Sequence, residues 1–397
     1  MKRGKLWIVF FGLLASGVLL VVWNYQSANT WFVRGGTLTF KPWRKESSNK
    51  IINYTHQKRG FGTEMVNVTK EHHWILMWRH PWGVQTEGPR DGKDLGKCTI
   101  TYDQKRLPEA SAVIFHYSGL DRETMPWKHY RNPDQLFVYL TMESPSYIQI
   151  GEHRRTMSKF DGGFINWTMS YRHSSDIFSS YFTSANTIFE NGKQKVEDLL
   201  AKKSRTGLWV VSNCKLLPGS RMRYRYIEDL IQAGLPIDRY GACFRNKKEF
   251  AALSPEVLHS YRFYFSFENA LHCEDYMTEK LWINGIQSGR VPVIWGPLKA
   301  DVEKLAPPGS FIHTEDFKSP AELAQYLLRL EKNETEYRRF FDWRVNPDER
   351  TKKIVAQHYL IREEQLCDKL QRPFSRKYVE SISDWFFGNE TKECLQN

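Results

Sequence analysis

From residue 73 onward the chain alternates short apolar runs with longer amphipathic stretches. "HHWILMWR", "SAVIFHYS", "QLFVYLTMES" and "FINWTMSYR" are brief, largely apolar segments bounded by polar residues, and each predicts a strand. A second series opens at "GLWVVSN" and continues with the strands "IDRYGA", "RFYFSFEN" and "RVPVIWGP". Helical spacing lies between them, in "RYRYIEDLIQAG", "EFAALSPEVLHSY" and "TEKLWINGIQSG", and a long helical region, "SPAELAQYLLRLEKNETEYRRFFDWR", follows. Short apolar strands separated by helices predict parallel sheets covered on both faces. Two such series predict an α/β protein of two Rossmann-like domains facing a cleft, with "KKSRTG" (202–207) as the hinge.

The amino end follows neither pattern. After the basic "MKRGK" come 18 residues without a charge, "LWIVFFGLLASGVLLVVW", with Trp7 and Trp23 near its ends. As a helix rising ~1.5 Å per residue the run would just cross a bilayer core. Lys2, Arg3 and Lys5 would hold its amino end in the cytosol and place the rest in a lumen or outside. A cleaved signal peptide competes with this reading, but no clear A-x-A site is present. Residues 24–66 are polar and irregular, as a stem would be. Five N-x-[ST] sequons, at Asn53, Asn67, Asn166, Asn333 and Asn389, and six cysteines fit an oxidising lumen. No C-x-x-C pair occurs, which argues against a structural zinc site.

At 397 residues the chain is long for one core, so two domains are expected. The formal charge of +12 favours an anionic partner. Nucleic acid fits poorly, because the Lys and Arg are scattered and no recognition module is present. An aromatic share of 14% suits a cleft for sugars or bases, and suits a well-filled core equally.

The densest polar cluster is in "RFYFSFENALHCEDYMTEKLW", residues 262–282. Phe263, Phe265 and Phe267 alternate with Tyr264 and Ser266 as in a buried strand, which stops at Glu268-Asn269. A helix is expected from about Asp275 to Thr278, with Asp275 as N-cap, and Gly289 ends it. The cluster therefore falls at the carboxyl end of a parallel strand and at a helix amino terminus, where an anion such as a pyrophosphate is favoured. Lys280 adds a full charge, and Glu279, acceptor-only, suits the two hydroxyls of a ribose. A capped helix with a surface salt bridge would use the same letters.

"YRFYFSFENALHCEDYMTEKLWINGIQSGRVPVIWGP" resembles the donor-site signature of the α-1,3-fucosyltransferases, FYxSFEN…DYxTEK…N…VPVxxGP. "ILMWRHPWG", "AVIFHY", "MESPS", "NWTMSYRHSSDIF", "WVVSN", "SFIHTEDFKSPAELAQYL" and "FFDWR" resemble further segments of that family in the same order, from about residue 74 to 395. The resemblance implies a two-domain GT-B fold, GDP-fucose as donor, inversion at the transferred sugar, and a single-pass type II Golgi membrane protein with a lumenal body. The expected division is a cytosolic tail (1–5), an anchor (6–23), a stem (24–66), an acceptor-side domain (67–201), a donor domain (202–362) and a carboxyl-terminal segment returning to the first domain (363–397).

By the same resemblance Asn269, Tyr276, Glu279 and Lys280 are donor-binding, and Ser212 and Asn213 lie near the nucleotide. The family's phosphate-contacting Arg falls among Arg221, Arg223 and Arg225; Arg223 keeps the spacing to Tyr226 and Leu230. Glu143, matching the Glu of the family's ESP motif, is the expected general base. Cationic side chains can stabilise the departing GDP, so no metal is expected for the chemical step. "SYRHSSD" keeps Tyr171, Arg172, Ser175 and Asp176 of the family's YRRDSD but differs at His173 and Ser174. Trp78, Trp82, Gln85, Tyr171 and Arg172 are acceptor-side candidates, although core packing would account for the two Trp as well. Cys98 and Cys367 match family positions that pair, Cys214 and Cys243 match a pattern in some core-type members, and Cys273 and Cys394 have no assigned partner.

Three readings follow. The first is transfer of L-fucose to O3 of a GlcNAc in a glycoprotein or glycolipid oligosaccharide, as in the Lewis-type branch. The second is fucosylation of the innermost GlcNAc of N-glycans, suggested by the "SNC…YGAC" cysteines. The third is a membrane-anchored glycan-binding protein without catalysis, which would have no need of Glu143, Tyr276, Glu279 and Lys280 together. A nucleotide-sugar epimerase is excluded for want of a G-x-G-x-x-G fingerprint.

Overall fold

The computed structural model describes the backbone of residues 7–14, 17–24, 32–33 and 36–37. It then describes residues 64–388 apart from 68, 122, 127–133 and 150–155, together with Cys394. Met1–Arg59 and Gly60–Asn397 are separate units.

In the first unit, β1 (Trp7–Leu14) and β2 (Gly17–Asn24) pair antiparallel, and β3 (Phe32–Val33) and β4 (Gly36–Thr37) extend the sheet. The helical anchor expected over 6–23 is thus not what forms. Ile, Val, Phe and Trp, which make up half of the run, fit strand as well as helix, and Gly17 opens the second strand. Among the described residues no helix is long and apolar enough to cross a membrane.

The second unit holds two parallel sheets. Before them β5 (Glu64–Val66) stands within the stretch expected as stem. The first sheet is built from β6 (His73–Met77), β7 (Cys98–Thr101), β8 (Ala110–His116), β9 (Leu136–Thr141), β10 (Trp167–Ser170) and β11 (Ile177–Phe178). Its order is β11-β10-β9-β8-β6-β7. The second comprises β12 (Arg205–Val210), β13 (Ile237–Tyr240), β14 (Tyr261–Phe267), β15 (Val291–Trp295) and β16 (Ile312–His313), in the order β13-β12-β14-β15-β16. Every pairing in both sheets is parallel. In each sheet the strand order reverses beside its first strand, between β6 and β8 and between β12 and β14, where α/β sheets open a crevice at their carboxyl ends.

The second sheet is covered as its pattern predicts. Phe263, Phe265 and Phe267 point to one face with Val291, Val293 and Trp295, against Ile227 and Leu230 of the helix Pro218–Gln232 and Leu323 and Leu327 of Pro320–Leu330. On the opposite face Ile294 packs with Leu281, Trp282 and Ile286. The predicted helix "EFAALSPEVLHSY" is two short ones, Lys247–Ala251 and Pro255–His259, because Ser254 caps a new start at Pro255.

The first sheet has few helices of its own: Pro145–Ile148, after β9, is a single turn. A parallel sheet still needs both faces covered, and the carboxyl-terminal segment covers them. Leu76, Val113, Phe115, Phe137 and Tyr139 pack against Ile382, Phe386 and Phe387 of the helix Ile382–Phe387. The alternate residues Ile75, Met77, Ala112, Ile114, Val138 and Leu140 pack with Leu366 and Leu370 of Arg362–Leu370. β17 (Phe374–Arg376) pairs antiparallel with β5, and a disulfide joins Cys98 of β7 to Cys367.

Candidate active site

The carboxyl ends of β9, β10, β12 and β14 deliver the side chains that matter. Directly after β14, Glu268 is 1% exposed. Its Oε1 accepts hydrogen bonds from the Thr278 amide at 2.8 Å and the Thr278 hydroxyl at 2.7 Å. Its Oε2 lies 3.1 Å from Lys280 Nζ. Lys280 Nζ also donates to Thr278 Oγ1 at 2.8 Å and to Glu279 Oε1 at 3.0 Å. Burial works against the Lys280 ammonium, but Glu268 and then Glu279 outweigh it and hold the amine above its ordinary range. Burial likewise pushes Glu279 up, and Lys280 more than offsets this, so its carboxyl stays below the usual range.

Lys280 opens the helix Lys280–Gln287, which is π-wound, a form that recurs at functional positions. Asp275 does not cap it. Asp275 sits at φ 56, left-handed backbone that Asp tolerates, and its Oδ2 accepts the His173 backbone N–H at 2.9 Å. Tyr276, preceding the helix, reaches the site by packing edge-on to Tyr171, ring centroids 5.0 Å apart. Burial and then Glu143 push its phenol well above the ordinary value. These contacts join the loop after β14 to the segment after β10. A disulfide between Cys273 and Cys394 ties the same loop to the carboxyl end of the chain, pairing the two cysteines the sequence left unassigned.

Glu143 lies just past β9, half-buried, its amide donating to Thr141 Oγ1 at 3.2 Å. Burial pushes its carboxyl above the ordinary value; Lys280 pulls it down, and Glu279 and Glu268 push it up. The group from the first sheet and the charges from the second thus share one electrostatic neighbourhood. Tyr181 closes the same place, donating to the Met142 carbonyl at 2.5 Å.

Arg223 is 2% exposed in the helix Pro218–Gln232, donating to the carbonyls of Phe267 (2.6 Å) and Asn213 (2.5 Å). It braces the ends of β12 and β14. Its Nε and the neighbouring Asn269 Oδ1 are buried without a hydrogen-bond partner. Arg221 and Arg225 are exposed, and Arg221 donates to the Lys215 carbonyl at 3.0 Å. Ser212 is exposed, and Asn213 Oδ1 accepts the Leu216 N–H at 3.1 Å. Gly219 lets this helix start close to the Asn269 backbone: a Cβ there would stand 2.6 Å from the Asn269 carbonyl oxygen. Two helix amino termini and a buried ammonium therefore converge where an anion would be favoured.

Two family models match the chain: "Fucosyltransferase, N-terminal" over residues 70–182 and "Glycosyltransferase family 10 (fucosyltransferase) C-term" over residues 200–385. The chain belongs to glycosyltransferase family 10, the fucosyltransferases. Among its relatives is 4-galactosyl-N-acetylglucosaminide 3-alpha-L-fucosyltransferase FUT6 of Gorilla gorilla gorilla, 36% identical over 318 residues, 79% of this chain and 82% of the relative. FUT5 of Homo sapiens, which carries the same activity name, is 35% identical over 323 residues and 79% of each chain. The 3-galactosyl-N-acetylglucosaminide 4-alpha-L-fucosyltransferase FUT3 of Bos taurus is 35% identical over 320 residues, 79% of this chain and 81% of its own. A crystal structure of an alpha1,3-fucosyltransferase with GDP-fucose superposes with a TM-score of 0.46 at 17% identity, covering 74% of this chain and 91% of that one.

The acceptor-side candidates of this fucosyltransferase separate on inspection. Trp78 is 7% exposed and lies in the core beside Phe115. Trp82 is 49% exposed at φ 52, its indole N–H donating to the Tyr117 hydroxyl at 3.1 Å and its backbone N–H to Ser118 Oγ at 2.7 Å. Gln85 is exposed and lines a surface hollow with His80, Thr86 and Arg90. Tyr171 stands beside Tyr276. Arg172, by contrast, is 1% exposed and donates to the carbonyls of Trp385 (2.9 Å) and Phe386 (2.8 Å), so its head group fastens the last helix. Asp176 accepts from the Thr168 amide and hydroxyl, and His173 is exposed with its ring against Phe178.

Cys214 pairs with Cys243, and among the described residues no cysteine is free. The sequon residue Asn166 is enclosed by the fold. The residue is 0% exposed, its Oδ1 accepting the Phe137 N–H at 2.9 Å and its Nδ2 donating to the Lys377 carbonyl at 2.8 Å. Asn67 and Asn333 are exposed; Asn53 and Asn389 lie outside the described residues. Sequence reasoning did not assign roles to Glu268, Thr278 and Tyr181. Glu268 and Thr278 stood inside the donor motif, where burial would have marked them; Tyr181 carried no signal.

Proposed function

We propose that this fucosyltransferase transfers L-fucose from GDP-fucose to O3 of an N-acetylglucosamine in a glycoprotein or glycolipid oligosaccharide, with inversion. The two sheets serve as the halves of a GT-B enzyme, and the body works on the lumenal side of the Golgi. Glu143 takes the proton from the acceptor hydroxyl as its oxygen bonds to C1 of fucose. The bond from C1 to the β-phosphate oxygen breaks, through an oxocarbenium-like transition state, and GDP leaves. Lys280 and the amino end of its helix meet the growing phosphate charge, Arg223 adds positive charge from behind, and Glu279 turns to the ribose hydroxyls. Asn269, Tyr276, Ser212 and Asn213 border the donor; Trp82, Gln85 and Tyr171 border the acceptor.

The observation that carries this reading is that the segment after β9, which holds Glu143, meets the loop after β14 that leads to Lys280: Ser146 Oγ lies 3.9 Å from Cys273 Sγ, and the Lys280 charge opposes the burial that raises the Glu143 carboxyl. The names of the relatives supply the chemistry, and the Bos taurus relative makes O4 of a 3-galactosyl GlcNAc the neighbouring outcome. The test is Glu143→Gln, assayed with GDP-fucose and N-acetyllactosamine alongside calorimetric GDP binding. GDP binding should survive and transfer should be lost; normal turnover would remove Glu143 as the base, and wild-type failure on every acceptor would favour the glycan-binding reading. The Cys214–Cys243 bond keeps a second acceptor in view, the innermost GlcNAc of N-glycans, so a trimmed N-glycan belongs in the same screen.

A further inference from the structure

Lys280 has three N–H donors, and in this structure Glu268, Thr278 and Glu279 lie within reach of all three. To receive a diphosphate, one of these partners must give way. The three are not equally free to move. The Glu279 side chain is 45% exposed, and among the described residues Lys280 is the one cation it pairs with. Glu268 is 1% exposed, and its second oxygen is tied to both the amide and the hydroxyl of Thr278. Gly296 makes room for it: a Cβ there would stand 3.1 Å from Glu268 Cβ. Thr278 closes the ring, giving its hydroxyl proton to Glu268 and accepting from Lys280.

We infer that Glu268 is a positioning residue: with Thr278 it fixes the Lys280 ammonium at the start of its helix, while Glu279 is the exchangeable partner that yields its place to the nucleotide diphosphate. This rests on the reading of Lys280 as a diphosphate ligand. Glu268 Oε1 is held by the two Thr278 bonds, while Oε2 makes no hydrogen bond and has only the Lys280 ammonium, 3.1 Å away, to balance its charge, so the buried carboxylate needs that lysine and stays with it when donor arrives. It also explains why two adjacent acids face one lysine at a site that must bind an anion: one holds the lysine and the other leaves.

The test is a double-mutant cycle with Glu268→Gln, Lys280→Met and the pair, reading kcat, the donor KM and GDP affinity, with thermal unfolding to confirm that each variant is folded. Glu268→Gln should lower kcat/KM for the donor roughly 10- to 100-fold, the loss of a buried charge-assisted bond. The double variant should be no worse than Lys280→Met alone. The absence of further loss beside Lys280→Met, read in variants that thermal unfolding shows to be folded, is the result that a merely structural role would not produce. Should Glu268→Gln fail to fold, Thr278→Val enters the same cycle, with the same absence of further loss expected beside Lys280→Met. Wild-type kinetics in the Glu268 variant, or losses that multiply in the pair, would overturn the inference. Wild-type donor kinetics in Lys280→Met would instead overturn the reading of the site itself.

Discussion

Replacing Arg172 with Met separates two roles that the sequence could not tell apart. The guanidinium is 1% exposed, donates at 2.9 and 2.8 Å to the Trp385 and Phe386 carbonyls, and lies with its carbon 5.1 Å from the Phe386 ring centroid. Met keeps much of the volume but leaves both carbonyls without that donor. A hydrogen bond to a charged group is worth about 1.5–3 kcal/mol, so the pair is worth about 3–6 kcal/mol. That is a large part of a typical domain's ~5–15 kcal/mol. At roughly 2–4 °C per kcal/mol for a large domain, the midpoint of thermal unfolding should fall by about 6–24 °C. Arg172→Lys should recover only part, since one ammonium cannot reproduce the planar fork that spans two carbonyls. Differential scanning calorimetry gives the midpoint, and acceptor KM is then measured well below it. An unchanged midpoint with a raised acceptor KM would refute the structural assignment and return Arg172 to the acceptor site.

Three further outcomes are expected. Glu143 must be ionised to act as base and burial raises its pKa, so the acid limb of kcat/KM should lie above the ordinary glutamate value of about 4.3; a limb at or below that value would count against the assignment. His358 is 4% exposed, with Nδ1 2.5 Å from Ser180 Oγ and Nε2 3.1 Å from the Leu305 carbonyl, and burial lowers its pKa from 6.5 to about 4. The unfolded chain therefore binds a proton that the folded one refuses, and about 3 kcal/mol of stability should drain away as pH falls from 6.5 to 4; urea unfolding of His358→Gln should lack that slope. Glycopeptide mass spectrometry of protein expressed in a glycosylating cell should find Asn166 unmodified, whereas a glycan there would contradict its burial and its two amide bonds.

The strands were legible because parallel sheets demand apolar runs, and the alternation of Phe263, Phe265 and Phe267 with Tyr264 and Ser266 reappears as two packed faces. The donor cluster was legible for a related reason: a polar run at a strand end has nothing to do in a core. Local rules failed where the partner was distant. Asp275 looks like a helix cap, yet its carboxylate meets the His173 amide, a bond between residues 102 apart. Tyr276 and Lys280 are spaced like neighbours on a helix face, but Tyr276 precedes the helix and is held by Tyr171. Arg172 sits in a recognisable motif, and only the position of the last helix shows what it does. Residues 7–14 and 17–24 illustrate the reverse limit, since an apolar run of β-branched and aromatic residues satisfies helix and strand alike.

Because the last segment of the chain roofs both faces of the first sheet, that sheet cannot be completed as it leaves the ribosome. Cys98 and its partner Cys367 are 269 residues apart. At about 5–20 residues per second, roughly 13 to 54 s pass between their synthesis. During that interval the β-strands of the amino half stand with uncovered apolar faces, a ready client for chaperones, and the thiol of Cys98 must be kept from earlier partners. A nonsense codon that trims only the final few dozen residues would therefore spare every group named in the chemistry and still abolish the half of the molecule that was made first.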